Sequence, residues 1–289
     1  MSSTLSVDEQ KALQALSFKV REHIIRLATK GGCFIGASLS CVDILVYLYS
    51  KFFNVTSDNL QDPNRDYFFL SKGHDVPALY GLFVELGILD KDRLQNHLKT
   101  NDSVYWHPNR AIPGVEFHSG SLGHLLSVSA GTAYASKLDG RNNKVCVLLG
   151  DGELNEGSIW EGALVSAAHK IDNLIAIVDR NQFQANFRTE ELIPLEPLQK
   201  KFESFGWNAF TCNGNDFNDL HAIFSLYPFI ENRPTIIICE TTRGKGLPSI
   251  EARADRWFCN FTDDEINALL EELYTQKPTD LTSETLMVR

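Results

Sequence analysis

Asp151 and Asn181 each stand at the end of an apolar run: "KVCVLLG" (144–150) leads into Asp151, and "NLIAIVDR" (173–180) leads into Asn181. A carboxylate and a carboxamide oxygen form a hard, oxygen-only ligand pair of the kind that suits Mg²⁺ or Ca²⁺. Mg²⁺ usually takes one or two protein groups and fills its other positions with water and phosphate oxygens. Gly150 and Gly152 flank Asp151 and let the backbone approach a ligand closely. A helix starting near 155 aims its N-terminal N–H groups at the same region, which favours an anion. Together these residue types suit a magnesium-bridged diphosphate. The generic phosphate motifs, G-x-x-x-x-G-K-[ST] and a G-x-G-x-x-G after a strand, are absent from the sequence.

For the two residues to meet, the runs before them must be neighbouring parallel strands. Four short runs fit that requirement: "YFFL" (67–70), "KVCVLLG", "NLIAIVDR" and "PTIIICE" (234–240). Continuous β-branched runs suit strands buried on both faces of a parallel sheet. They end in "SKGH", "DGE", "NQF" and "TTRGKG", and ligands of open parallel sheets bind outside the carboxyl ends of the strands. Residues 155–170, with Ile159, Ala163 and Ala167 on one face, predict the helix of a strand–helix–strand unit with a right-handed crossover. Helical spacing also predicts helices over 8–29 and 40–53. "VEFH" reads as a strand that packs His118, while His23, His97, His169 and His221 read as surface or capping residues. The expected fold class is α/β, a mostly parallel central sheet flanked by helices, as a single domain over 1–289.

Composition narrows the function. Hydrophobic residues make up 43% and charged residues 22%, an ordinary globular balance. A net charge of −10 argues against nucleic acid as a partner. No stretch approaches a membrane span, and "MSSTLSVDEQKALQ" has no apolar signal core. None of the six cysteines forms a C-x-x-C pair, so zinc is not expected and a reducing cytoplasm is.

The stretch "GDGELNEGSIWEGALVSAAHKIDNLIAIVDRNQF" closely resembles the thiamine diphosphate motif of transketolases. "LSKGHDVPALYGLF" (70–83), "HPNRAIPGVEFHSGSLGHLLSVSAGTAYASKLDG" (107–140) and "ETTRGKG" (240–246) resemble further motifs of that family, in order along the chain. The resemblance implies the thiamine diphosphate-binding fold. It implies that Asp151 and Asn181 ligate Mg²⁺ or Ca²⁺ by their side chains and Phe183 by its carbonyl oxygen. Gly152 and Glu153 would lie against the diphosphate, and Gly120, Ser121 and Leu122 against the aminopyrimidine. His74 would sit beside the cofactor and reacting carbon, and His107 at the hydroxyl end of a ketose donor. Lys245 is either solvated or at the right sheet edge for a phosphate. Glu156 and Glu161 fall near the family's subunit interface. The implied activity is transfer of a two-carbon ketol or related acyl unit from a ketose-type donor to an acceptor. A partner, the C-terminal transketolase subunit, would supply the catalytic glutamate and the pyrimidine pocket, in an α₂β₂ assembly.

The chain departs from the family pattern at two histidines. In "GGCFIGASLS" (31–40) Phe34 takes one histidine position, and in "WFC" Phe258 takes the other. His124, Leu125 and the pair Asn186-Phe187 are smaller departures. A phenyl ring cannot donate to a ketose oxygen, and a buried hydroxyl left unpaired costs about 1–3 kcal/mol. The expectation is a non-standard, less polar substrate. A keto-acid decarboxylating or acyloin-type component and a catalytically silent regulatory paralogue are the competing readings.

Overall fold

A computed structural model describes residues 4–283 and 285–286. Chain order begins with helices α1 (Val7–Leu27), α2 (Ile35–Ser40) and α3 (Val42–Tyr47), then strand β1 (Tyr67–Leu70) and α4 (Val76–Glu85). Next come α5 (Leu125–Leu138), β2 (Val145–Gly150), α6 (Gly157–Ala168) and β3 (Leu174–Arg180). A hairpin of β4 (Phe183–Gln184) and β5 (Phe187–Arg188) leads to α7 (Thr189–Leu192), α8 (Leu198–Ser204), β6 (Asn208–Asn213), α9 (Phe217–Phe224) and β7 (Thr235–Glu240). The chain closes with β8 (Phe258–Cys259), α10 (Asp263–Thr275) and β9 (Thr285–Leu286). The central sheet has the order β1-β2-β3-β7-β6, and all of its pairings are parallel.

Alternate residues of each strand feed two cores. Cys146, Leu148, Ile175, Ile177 and Ile237 pack under α1, α3 and α4, where Val20, Ile24, Leu45 and Tyr80 are fully or almost fully buried. Val147, Leu149, Ala176, Val178 and Ile236 pack on the other face against Leu126, Ile159, Ala163 and Phe202. That two-sided burial is why these strands read as continuous apolar runs. Shortening Ile177 to alanine in the centre of the sheet should cost about 2–5 kcal/mol, read as a lower denaturant midpoint at unchanged slope.

The first helix starts where a capping box closes it: Ser6 Oγ accepts from Glu9 N at 3.2 Å, and Glu9 Oε2 accepts from Ser6 N at 2.9 Å. The expected helix over 40–53 is corrected: helix begins at Ile35, breaks at Cys41, resumes to Tyr47 and ends in a π turn over Leu48–Phe52. Ser38 returns its hydroxyl to the carbonyl of Phe34, and Ser40 Oγ lies 2.7 Å from the carbonyl of Ala37, so residues that look like linker are helical and buried. The edge strand β6 was not expected, because its exposure alternates irregularly. "VEFH" forms no strand, and His118 is exposed. His23 is buried and paired with Glu85 at 2.9 Å, unlike the surface position expected for it. All six cysteines are free and buried. Among the described residues no helix is long and apolar enough to cross a membrane.

Candidate active site

Strand register sets Asp151 and Asn181 side by side. Gly150 pairs with Asp179 across β2 and β3, so Asp151 and Asn181 leave adjacent strands at the same sheet edge. The loop after β3 is tied to Asp151 directly: Asp151 Oδ2 accepts from Gln182 N at 2.6 Å and from Arg180 Nη1 at 3.1 Å. Its Oδ1 accepts from Gly152 N at 2.8 Å. Burial pushes the Asp151 carboxyl up to about 6, against the pull of the Arg180 guanidinium. Arg180 is held in turn by Thr189, Glu190 and Glu196. The Asn181 amide donates inward to Asp179 Oδ2 at 3.1 Å and Ser40 Oγ at 3.3 Å. That fixes its orientation and leaves Oδ1, which accepts from Phe183 N at 3.0 Å, with a second lone pair for a cation.

A cavity of about 400 Å³ opens on this edge, a size within the range of small-molecule sites. His74, His107, Gly120, Leu122, Asp151, Gly152, Glu153, Asn181 and Phe183 all line it. Ser121, between Gly120 and Leu122, is exposed and outside the lining. Two glycines keep the cavity open. Gly120 has φ +127°, and a Cβ there would meet the His107 ring at 2.6 Å. A Cβ at Gly152 would lie 2.8 Å from Gln184. Glu153 lines the cavity, but its carboxylate is already occupied. It accepts from Ser71 Oγ, from Gly123 N at 2.8 Å and from Gly150 N at 3.1 Å. It braces three loops against one another. Burial raises its pKa, and those donors oppose the rise.

Of the two readings of Lys245, the fold matches the solvated one. Its side chain is 40% exposed, lies 3.6 Å from Glu251 and does not reach the cavity. The cation that this turn offers is Arg243, which is 2% exposed. Arg243 Nη1 donates to Ala185 O at 2.5 Å, and its guanidinium lies over the Phe183 ring at 5.0 Å. Its Nε and Nη2 have no hydrogen-bond partner among the described residues, and burial lowers its pKa to about 10. Unpartnered buried guanidinium donors beside the cavity are suited to an anion.

A second buried cation, Lys72, lines the cavity floor and bridges Asp75 and Asp179. Ser40 Oγ donates to Asp179 Oδ2 at 2.5 Å, and Thr241 Oγ1 donates to Asp179 Oδ1. Cys41, Asp75 and Asp179 converge closely, but the Lys72 ammonium already stands between one oxygen of each carboxylate. This cluster therefore reads as an ion-pair floor and not as a metal centre. Sequence reading missed Lys72, Asp75, Asp179 and Arg243. The signal available was a lysine and an arginine inside two strand-end turns, "SKGH" and "TTRGKG".

Aromatic rings form the remaining wall. Phe34 lines the cavity and stands 5.4 Å from the His74 ring, 6.2 Å from the His107 ring and 5.1 Å from Trp257. Phe258 packs behind it, 5.0 Å from Phe34 and 5.8 Å from Trp106. Burial lowers the pKa of His74 well below the usual range, reinforced by Lys72, His107 and Arg243. Burial alone lowers His107. Both rings are therefore neutral at pH 7 and can accept a proton.

The departures at His124 and Leu125 lie beside this wall. His124 is exposed and its Nδ1 lies near the carbonyls of Ser121 and Leu122, while Leu125 begins α5 and is buried. Glu161 is exposed on α6, and Glu156, at the cap of its first turn, is exposed as well. Trp160 packs on Phe202 at 5.0 Å, in the second core.

The family model "Transketolase, thiamine diphosphate binding domain" matches residues 17–284. Over 272 residues the chain is 38% identical to an apulose-4-phosphate transketolase subunit from Actinobacillus succinogenes, covering 93% of this chain and 97% of that one. It is 31% identical over 240 residues to the 6-deoxy-6-sulfo-D-fructose transketolase subunit SqwG of Clostridium sp., covering 83% and 87% of the two chains. The solved transketolase of Campylobacter jejuni superposes with a TM-score of 0.82 at 25% identity over 93% of this chain. This chain spans 43% of that transketolase's length.

Proposed function

Because the chain belongs to the transketolase family through its thiamine diphosphate-binding domain, we propose that it is the cofactor-binding subunit of a transketolase-like transferase. In this reading it moves a two-carbon ketol, or related acyl, unit from a ketose-type donor to an acceptor, and a partner chain completes each site. The single observation that carries the reading is the cavity itself. It sets Asp151, Asn181, a guanidinium at Arg243 with two unpartnered nitrogens, and two neutral histidines around one space. The partner is inferred from relatives described as transketolase subunits.

The residues fit the cofactor's chemistry. Asp151 and the Asn181 Oδ1 would hold Mg²⁺, with the Phe183 carbonyl beside them. The unpartnered Nε and Nη2 of Arg243 would donate to diphosphate oxygens, and Gly152 would let that group approach the backbone. When bound, thiamine diphosphate supplies the electron sink that lets a carbon–carbon bond beside a carbonyl break. His74 and His107, both neutral, would accept and return the substrate's hydroxyl protons. The Phe34, Trp257 and Phe258 rings would exclude water and offer no hydrogen bond to a ketose hydroxyl, apart from the Trp257 indole N–H. That wall favours a donor presenting fewer hydroxyls to it.

Two measurements bear on this reading. Reconstitution with a C-terminal transketolase chain should give ketol transfer from a ketose phosphate to an aldehyde, and neither chain alone should do so. Carbon dioxide release from pyruvate without ketol transfer would overturn the proposal in favour of a keto-acid enzyme. Arg243→Met should weaken thiamine diphosphate binding about 10- to 100-fold, the worth of a charged hydrogen bond. Unchanged affinity in an isothermal titration would remove Arg243 from the diphosphate site.

A further inference from the structure

The geometry points to Asp75 as a positioning residue: we propose that its carboxylate holds His74 in the tautomer protonated at Nε2, an inference that rests on His74 belonging to the active site. Asp75 lies in the tight turn Gly73–Asp75 between β1 and α4, and it is fully buried. Its two oxygens have different surroundings. Oδ2 is held by the Lys72 ammonium, with Cys41 Sγ 3.6 Å away. Oδ1 has no hydrogen bond among the described residues, and His74 Nε2 lies 3.5 Å from it.

A buried carboxylate oxygen without a donor is costly. His74 can remove that cost only if Nε2 carries the proton. A neutral imidazole bears one proton, so Nδ1 is then the acceptor. The ring is thus set as a base before any substrate arrives. A buried aspartate that orients an imidazole and fixes its tautomer is an established way to make histidine an efficient base.

Lys72 gives the arrangement a direction. Its ammonium, pinned also by Asp179, is a donor and claims whichever oxygen faces it. In Asp75→Asn the carboxamide oxygen is drawn to Lys72, and the NH₂ group is turned toward His74. An NH₂ donor requires a bare Nε2, so the substitution reverses the tautomer while nearly conserving size. Lys72 keeps Asp179 as its counter-ion.

The test is nitrogen NMR of the full chain labelled with ¹⁵N-histidine, with His74 assigned by loss of its signals in His74→Gln. The wild type is expected to show a protonated Nε2 and a bare Nδ1, and Asp75→Asn the reverse. With the partner chain, Asp75→Asn should lower kcat about 10²-fold with little change in KM. A bare Nε2 in the wild type overturns the assignment without any variant, so a poorly folding Asp75→Asn leaves it testable. The same tautomer in both proteins also overturns it. The spectra require no turnover, so a missing transketolase activity would count against the function alone.

Discussion

Asp151→Ala is expected to weaken the joint binding of thiamine diphosphate and Mg²⁺ by at least about 100-fold, a loss of roughly 3 kcal/mol. The aspartate is 1% exposed at the carboxyl end of β2, and it would be the one charged ligand that this chain gives the cation. The carbonyl of Phe183 and the amide oxygen of Asn181 are neutral and cannot replace it. The fold should survive, because Arg180 keeps Thr189, Glu190 and Glu196 when Asp151 is removed. Calorimetric titration at fixed Mg²⁺, with a thermal melt alongside, separates the two effects. Wild-type affinity in a folded Asp151→Ala protein would remove the cation from this edge.

The aromatic wall should respond as strongly. Phe34→His combined with Phe258→His should raise kcat/KM for a fully hydroxylated ketose phosphate by about 10-fold or more, because an imidazole at the cavity wall can satisfy a hydroxyl whose burial costs about 1–3 kcal/mol. Phe34 should carry most of the gain. It lines the cavity between His74 and His107, whereas Phe258 stands behind it against Trp106. Steady-state assays of the reconstituted pair with xylulose 5-phosphate and ribose 5-phosphate decide this. Wild-type turnover at the rate of an ordinary transketolase would show that the phenyl wall imposes no selectivity.

Much of this molecule was legible in its residues. The four apolar runs became β1, β2, β3 and β7 because strands buried on both faces cannot alternate with polar residues. The strand β6 escaped because an edge strand is apolar on one side only, and "NAFTCN" alternates irregularly. The α2 segment escaped because Gly36, Ser38 and Ser40 suggest a turn until burial and the back-bonded Ser38 hydroxyl make them helical. At the site, Asp151 and Asn181 could be paired by strand-end position alone. Arg243 and Lys245 could not be ranked, since both occupy one turn and only the packing of Phe183 decides which is buried. In the floor, Lys72 and Asp75 are three positions apart, but Asp179 joins them from more than a hundred positions away. No local pattern encodes a contact over that separation.

The proposed function stands on one cation, held by Asp151 and Asn181, that anchors a diphosphate at the carboxyl edge of β2 and β3. A crystal structure of the chain soaked with thiamine diphosphate and Mn²⁺ in place of Mg²⁺ would locate both. Anomalous scattering should place the metal about 2.0–2.3 Å from Asp151 Oδ and Asn181 Oδ1, within the range of hard-cation oxygen ligation. The Phe183 carbonyl, two diphosphate oxygens and a water should fill the remaining positions of an octahedral shell, with Arg243 donating to the same diphosphate. Metal elsewhere, or diphosphate density away from Asp151 and Arg243, would refute the proposed anchor.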